Sequence, residues 1–414
     1  MNKFYIALIG TLTMLLLVGC QFLIRDDLPA APPKTEIFML GWQSSASNDA
    51  RLQQSLDQIV ASSATLSISL TLVNDYDEQL TATLDSDYPP DIIFVESGRL
   101  VELAHSGMLR AIGDQIEGTD DFFPVLRQAF TFHEQFYCPP REFSTLAVIY
   151  NSQMLDDAAI PYPTDDWTWQ DFSSTVQKLT NPNTAVVGLA LGNDLSRWLP
   201  FLYAAGGTLT DSNETTMTLN SPAVAAGFHV LDDLWTNFDA LKPADMRTSW
   251  AGEALGKQRA AMAIEGDWTV PYLQKEFPEL KFGIVALPTG TQTKSTMAFS
   301  SCLAIPAKAA HPEEALKVIN QLVSADIMRA LHTDPSPLPA RISVAEQWQS
   351  QFPQMKPFVD GAAYAQPWRF FPGFDALKSN MEGNLQRMYK AEISVEDLLL
   401  AAEEAGNRAL QETR

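Results

Sequence analysis

From residue 36 onward, two rhythms of apolar and polar positions exchange repeatedly along this chain. Glu36-Ile37-Phe38-Met39-Leu40 predicts a strand running into Gly41-Trp42, and Leu52, Leu56, Ile59 and Val60 then recur at helical spacing. Leu66, Ile68, Leu70 and Leu72 alternate with Ser and Thr as a half-buried strand does. Pro89-Pro90 leads into the apolar strand Ile92-Ile93-Phe94-Val95, and Leu100, Val101, Leu103 and Ala104 mark a short helix that stops at Gly107. Strand and helix in alternation predict an α/β lobe.

A second series begins at the strand Leu146-Ala147-Val148-Ile149-Tyr150. Thr168, with Asp171 three residues on, predicts the start of a helix carrying Phe172, Val176 and Leu179 on one face. The strand Val186 to Leu191 precedes a helix through Trp198 and Tyr203, and Ser221-Pro222 opens another with Val224, Phe228, Leu231 and Trp235 inward. Ala261 to Ile264 predicts a strand ending at Glu265-Gly266-Asp267-Trp268, and Lys281 to Ala286 one more. Ser301 to Ile305, then a helix opened by His311-Pro312, bring the chain back toward the first lobe. The tail is helical, with Ser394 and Asp397 forming a capping-box-like start to the last helix.

The first 35 residues share neither rhythm. Lys3 precedes a mainly apolar run from Phe4 to Val18, too short for the about 20 residues of a membrane span, which ends in Leu17-Val18-Gly19-Cys20. This segment resembles the lipobox of bacterial lipoprotein precursors. The resemblance implies a signal peptide over 1–19, cleavage before Cys20 and lipidation of its thiol, hence a membrane anchor. Residues 20–35, with Pro29, Pro32 and Pro33, then read as a tether. The chain beyond residue 35 exceeds the ~250–300 residues at which single cores usually split, so two globular units are expected.

Charge narrows the partners. Asp and Glu total 50 against 28 Lys and Arg, a formal net charge of −22, and no basic run is present, so a nucleic-acid partner is disfavoured. With Cys20 lipidated, Cys138 and Cys302 remain, either paired in an oxidising compartment or standing as two buried thiols. No Gly-x-Ser-x-Gly or Gly-x-Gly-x-x-Gly occurs, and Gly252 to Lys257 falls one residue short of a phosphate loop. The five histidines are too scattered to spell a zinc motif, so no metal or cofactor is expected.

Several segments, taken in order, resemble family 1 extracellular solute-binding proteins, which serve ABC importers. They are Tyr88-Pro89-Pro90-Asp91-Ile92-Ile93, Ala104-His105-Ser106-Gly107-Met108-Leu109, Pro140 to Leu146 running on to Tyr150-Asn151, Trp167-Thr168-Trp169, Ala204-Ala205-Gly206-Gly207, and Met262 to Trp268. The resemblance implies an α/β, two-lobed periplasmic-binding-protein fold, type II-like, with hinge strands crossing between the lobes and ligand in the cleft. By those motifs the first lobe takes 36–144 plus 300–340 and the second 145–299 plus 341–414. Cys138-Pro139-Pro140 departs from the family's pattern; Cys138 and Cys302 both fall on or beside the crossing segments, which favours a bridge.

The implied function is capture of a sugar or oligosaccharide by a non-catalytic monomer that delivers it to permease subunits. A sugar offers weakly apolar faces and a rim of hydroxyls, so its site calls for aromatic platforms beside carboxylates or guanidinium groups. Trp42 follows the first strand and Glu96 closes the strand Ile92 to Val95, where open α/β sheets place ligands. The resemblance puts a polar contact at Arg141 and Glu142, unless these two pair with each other. It puts an aromatic at Trp268 beside Asp267, and a late aromatic loop at Trp368 and Arg369. Trp198 and Tyr203, five apart on one helix, cannot both lie on one narrow stripe, so one of them belongs to the core. Two rival readings remain: a glycosidase using a carboxylate pair such as Glu142 and Asp267, and a polyamine or metal-ion binder on the same fold.

Overall fold

The computed structural model describes residues 34–237 and 239–412. The signal segment, Cys20 and all but the last two residues of the tether lie outside the described residues.

The first three strands are β1 (Thr35–Trp42), β2 (Leu66–Val73) and β3 (Ile92–Glu96). A small hairpin of β4 (Thr131–Phe132) and β5 (Gln135–Phe136) precedes the long β6 (Pro140–Asn151). Then come β7 (Val187–Ala190), β8 (Ala240–Leu241), β9 (Ala260–Gly266), β10 (Phe282–Val285), β11 (Thr296–Ala304), β12 (Leu338–Pro339) and β13 (Ala365–Pro367). Apart from the hairpin, they join one sheet whose main path runs β2-β1-β3-β11-β6-β9-β7-β8.

That order explains the two lobes. β1, β2 and β3 pair in parallel at one end, as β9, β7 and β8 do at the other, each set tied together by helical crossovers. Between them β6 and β11 run antiparallel to each other and belong to both ends. β6 pairs β11 through Pro140–Thr145 and β9 through Leu146–Tyr150, and β11 pairs β3 through Ser301–Ala304. β11 begins at Thr296, five residues before the expected start, because the strand continues across the junction, where Thr296 Oγ1 donates to the Leu146 carbonyl at 2.8 Å.

Side chains on β6 alternate between two apolar bodies, as a strand buried on both faces requires. Leu146, Val148 and Tyr150 join the core with Trp198, Phe228 and Leu399, while Ala147 and Ile149 face the body that continues into Ile37, Phe94 and Val318. Local signals set the helices. Thr168 and Asp171 form a reciprocal capping box, and Ser221 Oγ accepts from Val224 N with Pro222 at the first helical position. The helices Ile342–Gln351 and Lys356–Gly361 return to the first lobe, where Trp348 and Phe358 are buried and Thr145 Oγ1 donates to the Phe358 carbonyl at 2.7 Å. The first lobe therefore extends past residue 340, the boundary expected from the sequence. Among the described residues no helix is long and apolar enough to cross a membrane.

Cys138 and Cys302 are bonded, with Cα atoms 5.7 Å apart. The bridge joins the residue two before β6 to β11, where Cys302 is the register partner of Pro140.

Candidate functional site

Between the lobes lies a cavity of about 830 Å³, within the ~300–1,000 Å³ of small-molecule sites. Its floor is the pair of crossing strands. In β6 Glu142 faces Ser301 of β11 while Pro140 faces Cys302, so Arg141 has no partner and forms a β-bulge. Consecutive residues of a regular strand point to opposite faces; the bulge re-aims Arg141 so that it and Glu142 both line the cavity. The Arg141 guanidinium sits 4.2 Å over the Phe94 ring, with Nη2 at 3.2 Å from Glu142 Oε2. Glu142 Oε1 accepts from Ser301 Oγ at 3.0 Å, which leaves Arg141 Nη1 buried with no hydrogen-bond partner.

The first-lobe wall comes from the ends of β1 and β3. Trp42 packs edge-on against Phe94 and Tyr76, at 5.0 and 5.3 Å between centroids, and the Tyr76 hydroxyl donates to the Phe94 carbonyl at 2.5 Å. Glu96 opens onto the cavity, yet the surrounding protein desolvates it enough to raise its pKa, helped by the nearby charges of Asp77 and Glu142.

The second-lobe wall is the turn after β9. Gly266 has no room for a side chain, since a Cβ there would lie 2.2 Å from the Trp268 ring. The indole thus lies down on the backbone, 36% exposed toward the cavity, with its Nε1 donating to Glu265 Oε2 at 3.2 Å. Glu265 is held by Arg197 Nη2 at 2.5 Å, and Arg197 also reaches Asp194 at 2.7 Å. Between these sits Asp267, 1% exposed, neither of whose carboxylate oxygens meets hydrogen-bond geometry. Burial pushes its pKa up to about 7, softened by the nearby Ser144 and Ser336 hydroxyls and reinforced by Glu142.

A third side is built by Trp368, whose ring stands 5.6 Å from Phe299 and 4.8 Å from Phe370. Trp368 also meets the first lobe, because a Cβ on Gly98 would come within 3.1 Å of its ring. The loop carrying Asp334 and Ser336 completes the rim, pinned by Arg51 on Asp334 at 2.5 Å and by Trp348 Nε1 on the Asp334 carbonyl at 3.0 Å.

Of the residues singled out in the sequence, Trp42, Glu96, Arg141, Glu142, Asp267, Trp268 and Trp368 all border this one cavity. Three do not. Trp198 is fully buried in the second core, its Nε1 bonded to the Gly192 carbonyl at 3.0 Å and its ring against Phe228. Tyr203, on the same helix, is half-buried against that core and away from the cavity, and desolvation raises its pKa. Arg369 bridges to Glu214 at 3.2 Å and does not border the cavity. Sequence reasoning missed Ser144, Phe299, Ser300, Ser301 and the Asp334–Pro337 loop. No local signal in that segment says that it returns to the cleft.

The floor can donate and accept at once, and the walls offer flat aromatic surface. Among the described residues no cluster of His, Cys, Asp or Glu is arranged to hold a metal ion.

Comparison with known proteins agrees with this architecture. Residues 67–358 match the family described as bacterial extracellular solute-binding protein. The maltotriose-binding protein of Pyrococcus abyssi is 22% identical over 253 residues, 60% of this chain and 52% of that protein. The matched stretch spans little more than half the length of the curated relatives. An ABC substrate-binding protein from Listeria monocytogenes, solved with cycloalternan, superposes with a TM-score of 0.81 at 19% identity, covering 91% of this chain and 99% of that one. The cyclic alpha-maltosyl-1,6-maltose binding protein from Arthrobacter globiformis gives 0.81 at 20% identity over 92% and 100%. At such identities the likeness carries the two-lobed fold.

Proposed function

This chain belongs to the family of bacterial extracellular solute-binding proteins, and from that premise we propose that its cleft captures a sugar or oligosaccharide for an ABC importer. The observation that carries the reading is the placement of Trp42, Trp268 and Trp368 on three sides of a cavity floored by Arg141, Glu142 and hydroxyl groups. Aromatic faces suit the C–H faces of a pyranose, and the floor supplies both donors and acceptors for its hydroxyls. The sugar-binding relatives support the same ligand class.

In this reading Trp42, Glu96, Arg141, Glu142, Asp267, Trp268 and Trp368 contact the sugar. The lobes close about β6 and β11, the strands common to both. The protein acts as a monomer without turnover, Glu142 being engaged by Arg141 and Ser301 rather than free for acid–base work. The closed form presents the sugar to permease subunits. Cys20, cleaved and lipidated, holds the protein at the outer side of a cell-envelope membrane; two acyl chains suffice for stable anchoring.

A thermal-shift screen of the purified soluble protein against saccharides, spermidine and divalent metal ions tests this. A ligand at 100 times its Kd stabilises by about 2.7 kcal/mol. Stabilisation by a saccharide, recovered unchanged after incubation, is expected; a response confined to spermidine or a metal, or hydrolysis of the saccharide, would overturn the reading. Fatty-acid labelling that survives Cys20→Ser would overturn the anchor.

A further inference from the structure

The cavity carries more negative charge than a neutral sugar needs. Asp49, Glu96, Glu142, Asp267 and Asp334 line it, against Arg141 and Lys275 as its cations. Asp334 is answered by Arg51 and Glu142 by Arg141. Asp267 has no cation paired with it: its side chain is almost wholly buried at the cavity wall, with the Ser144 and Ser336 hydroxyls as neighbours and neither oxygen in good hydrogen-bond geometry. The charge of Glu142 acts on Glu96 and on Asp267 alike, so the three carboxyls share one field.

We propose that Asp267, with Glu142 and Glu96 behind it, is the specificity determinant for an amine-bearing saccharide, binding its ammonium group in preference to the hydroxyl of the neutral sugar. The inference rests on the saccharide reading above and narrows it. The hydroxyls of a neutral sugar can satisfy the oxygens of Asp267 but leave its charge buried. An ammonium group carries three donors, can serve both oxygens, and cancels the charge in a site walled from water. Such charge-assisted bonds are roughly twice as strong as neutral ones. The exposed face of Trp268 beside Asp267 adds cation–π attraction.

Arg141 separates this ligand from a simple polyamine. Its Nη1 is a buried donor without an acceptor at the same cavity, and a chain of amines and methylenes has no oxygen to give it. A saccharide bearing one amine offers a cation to Asp267 and oxygens to Arg141.

The test is calorimetric titration at neutral pH with matched pairs, each neutral saccharide set against its analogue with one hydroxyl replaced by an amine. Glucosamine oligomers against β-1,4-linked glucose oligomers of the same length form one such pair, and amino-substituted against plain malto-oligosaccharides another. In the unaltered protein the amine member of at least one pair should bind about tenfold more tightly or better. In Asp267→Asn, an isosteric change checked by a denaturant melt, the ratio of the two affinities should fall to about onefold, whatever the change in the neutral member's own Kd. Neutral members binding as well as or better than their amine partners in the unaltered protein would overturn the inference and leave the saccharide reading standing. A preference that persists in a folded Asp267→Asn variant would overturn the assignment to Asp267. Binding of spermidine with no saccharide of either kind would remove both.

Discussion

The Trp268 indole donates its Nε1 hydrogen to Glu265 Oε2 at 3.2 Å, so the aromatic face of the second-lobe wall is oriented by a carboxylate three residues before it. Glu265 is only 4% exposed; burial pushes its carboxyl pKa up, and Arg197, with Nη2 at 2.5 Å, pulls against that. The pose of a cavity-facing ring thus depends on a buried ion pair.

Arg197→Ala should therefore destabilise the protein by about 3–5 kcal/mol, because it strands a buried carboxylate. Replacing both partners, Arg197→Met with Glu265→Leu, should recover most of that stability while leaving the indole without its acceptor. Denaturant melts measure the first effect and saccharide titration the second. A double variant with unimpaired affinity would show that the pair does not set the ring.

Trp268 itself can be truncated with little harm to the fold, since 36% of it is already exposed and Gly266 lies beneath it. As a stacking platform, Trp268→Ala should cost ~2 kcal/mol or more of binding, roughly a thirtyfold rise in Kd. If the ring were a core element, the loss would appear instead as ~3–5 kcal/mol of folding stability. Titration beside a melt of the ligand-free variant separates the two, and unchanged affinity removes Trp268 from the site.

Asp267 predicts a pH signature in the empty protein. Its folded pKa of about 7 lies above the ordinary carboxyl value near 3.9, so between about pH 4 and pH 7 the folded state keeps a proton that the unfolded state has lost. Its contribution to stability is then full below about pH 4 and lost as pH rises through 7. Asparagine does not titrate. Asp267→Asn should match the unaltered protein near pH 4 and exceed it by about 1–3 kcal/mol at pH 8, the typical cost of an unsatisfied buried polar group. Parallel stability curves across that range would show that the carboxyl is not buried and unpaired as the structure has it.

Much of this was legible in the sequence because it is local. Thr168 with Asp171, and Ser221 with Pro222, write their helix starts in neighbouring residues, and the alternation in Leu66 to Leu72 belongs to one strand. The cleft is not local. The Arg141 bulge exists only because β11 skips it in register, and Ser301, opposite Glu142, lies 159 residues further along the chain. The same limit hides Ser300, Ser301 and the Asp334–Pro337 loop. Trp198 and Trp268 each looked ligand-ready for their ring, but helical spacing shows that Trp198 sits on an apolar face without showing which layer that face meets. In the fold it meets Phe228 and Tyr389.

The disulfide gives the last prediction. Cys138 and Cys302 are 164 residues apart, and the loop they close holds β6 to β10 and most of β11. Closing so long a loop removes much freedom from the unfolded chain, and loss of a native bridge typically costs ~2–5 kcal/mol. Both sulfurs are buried in the first-lobe core, and neither cysteine borders the cavity. The paired change Cys138→Ala with Cys302→Ala should therefore lower the unfolding free energy by that amount, read as a lower denaturant midpoint, while changing saccharide Kd less than about twofold. Reducing the unaltered protein should lower its midpoint to the same degree, because both treatments free the same loop. An unchanged midpoint on complete reduction would show that the bridge does not contribute to stability. A loss of affinity as large as the loss of stability would mean that it also positions the crossing strands, since the bond sits where Pro140 and Cys302 hold β6 against β11.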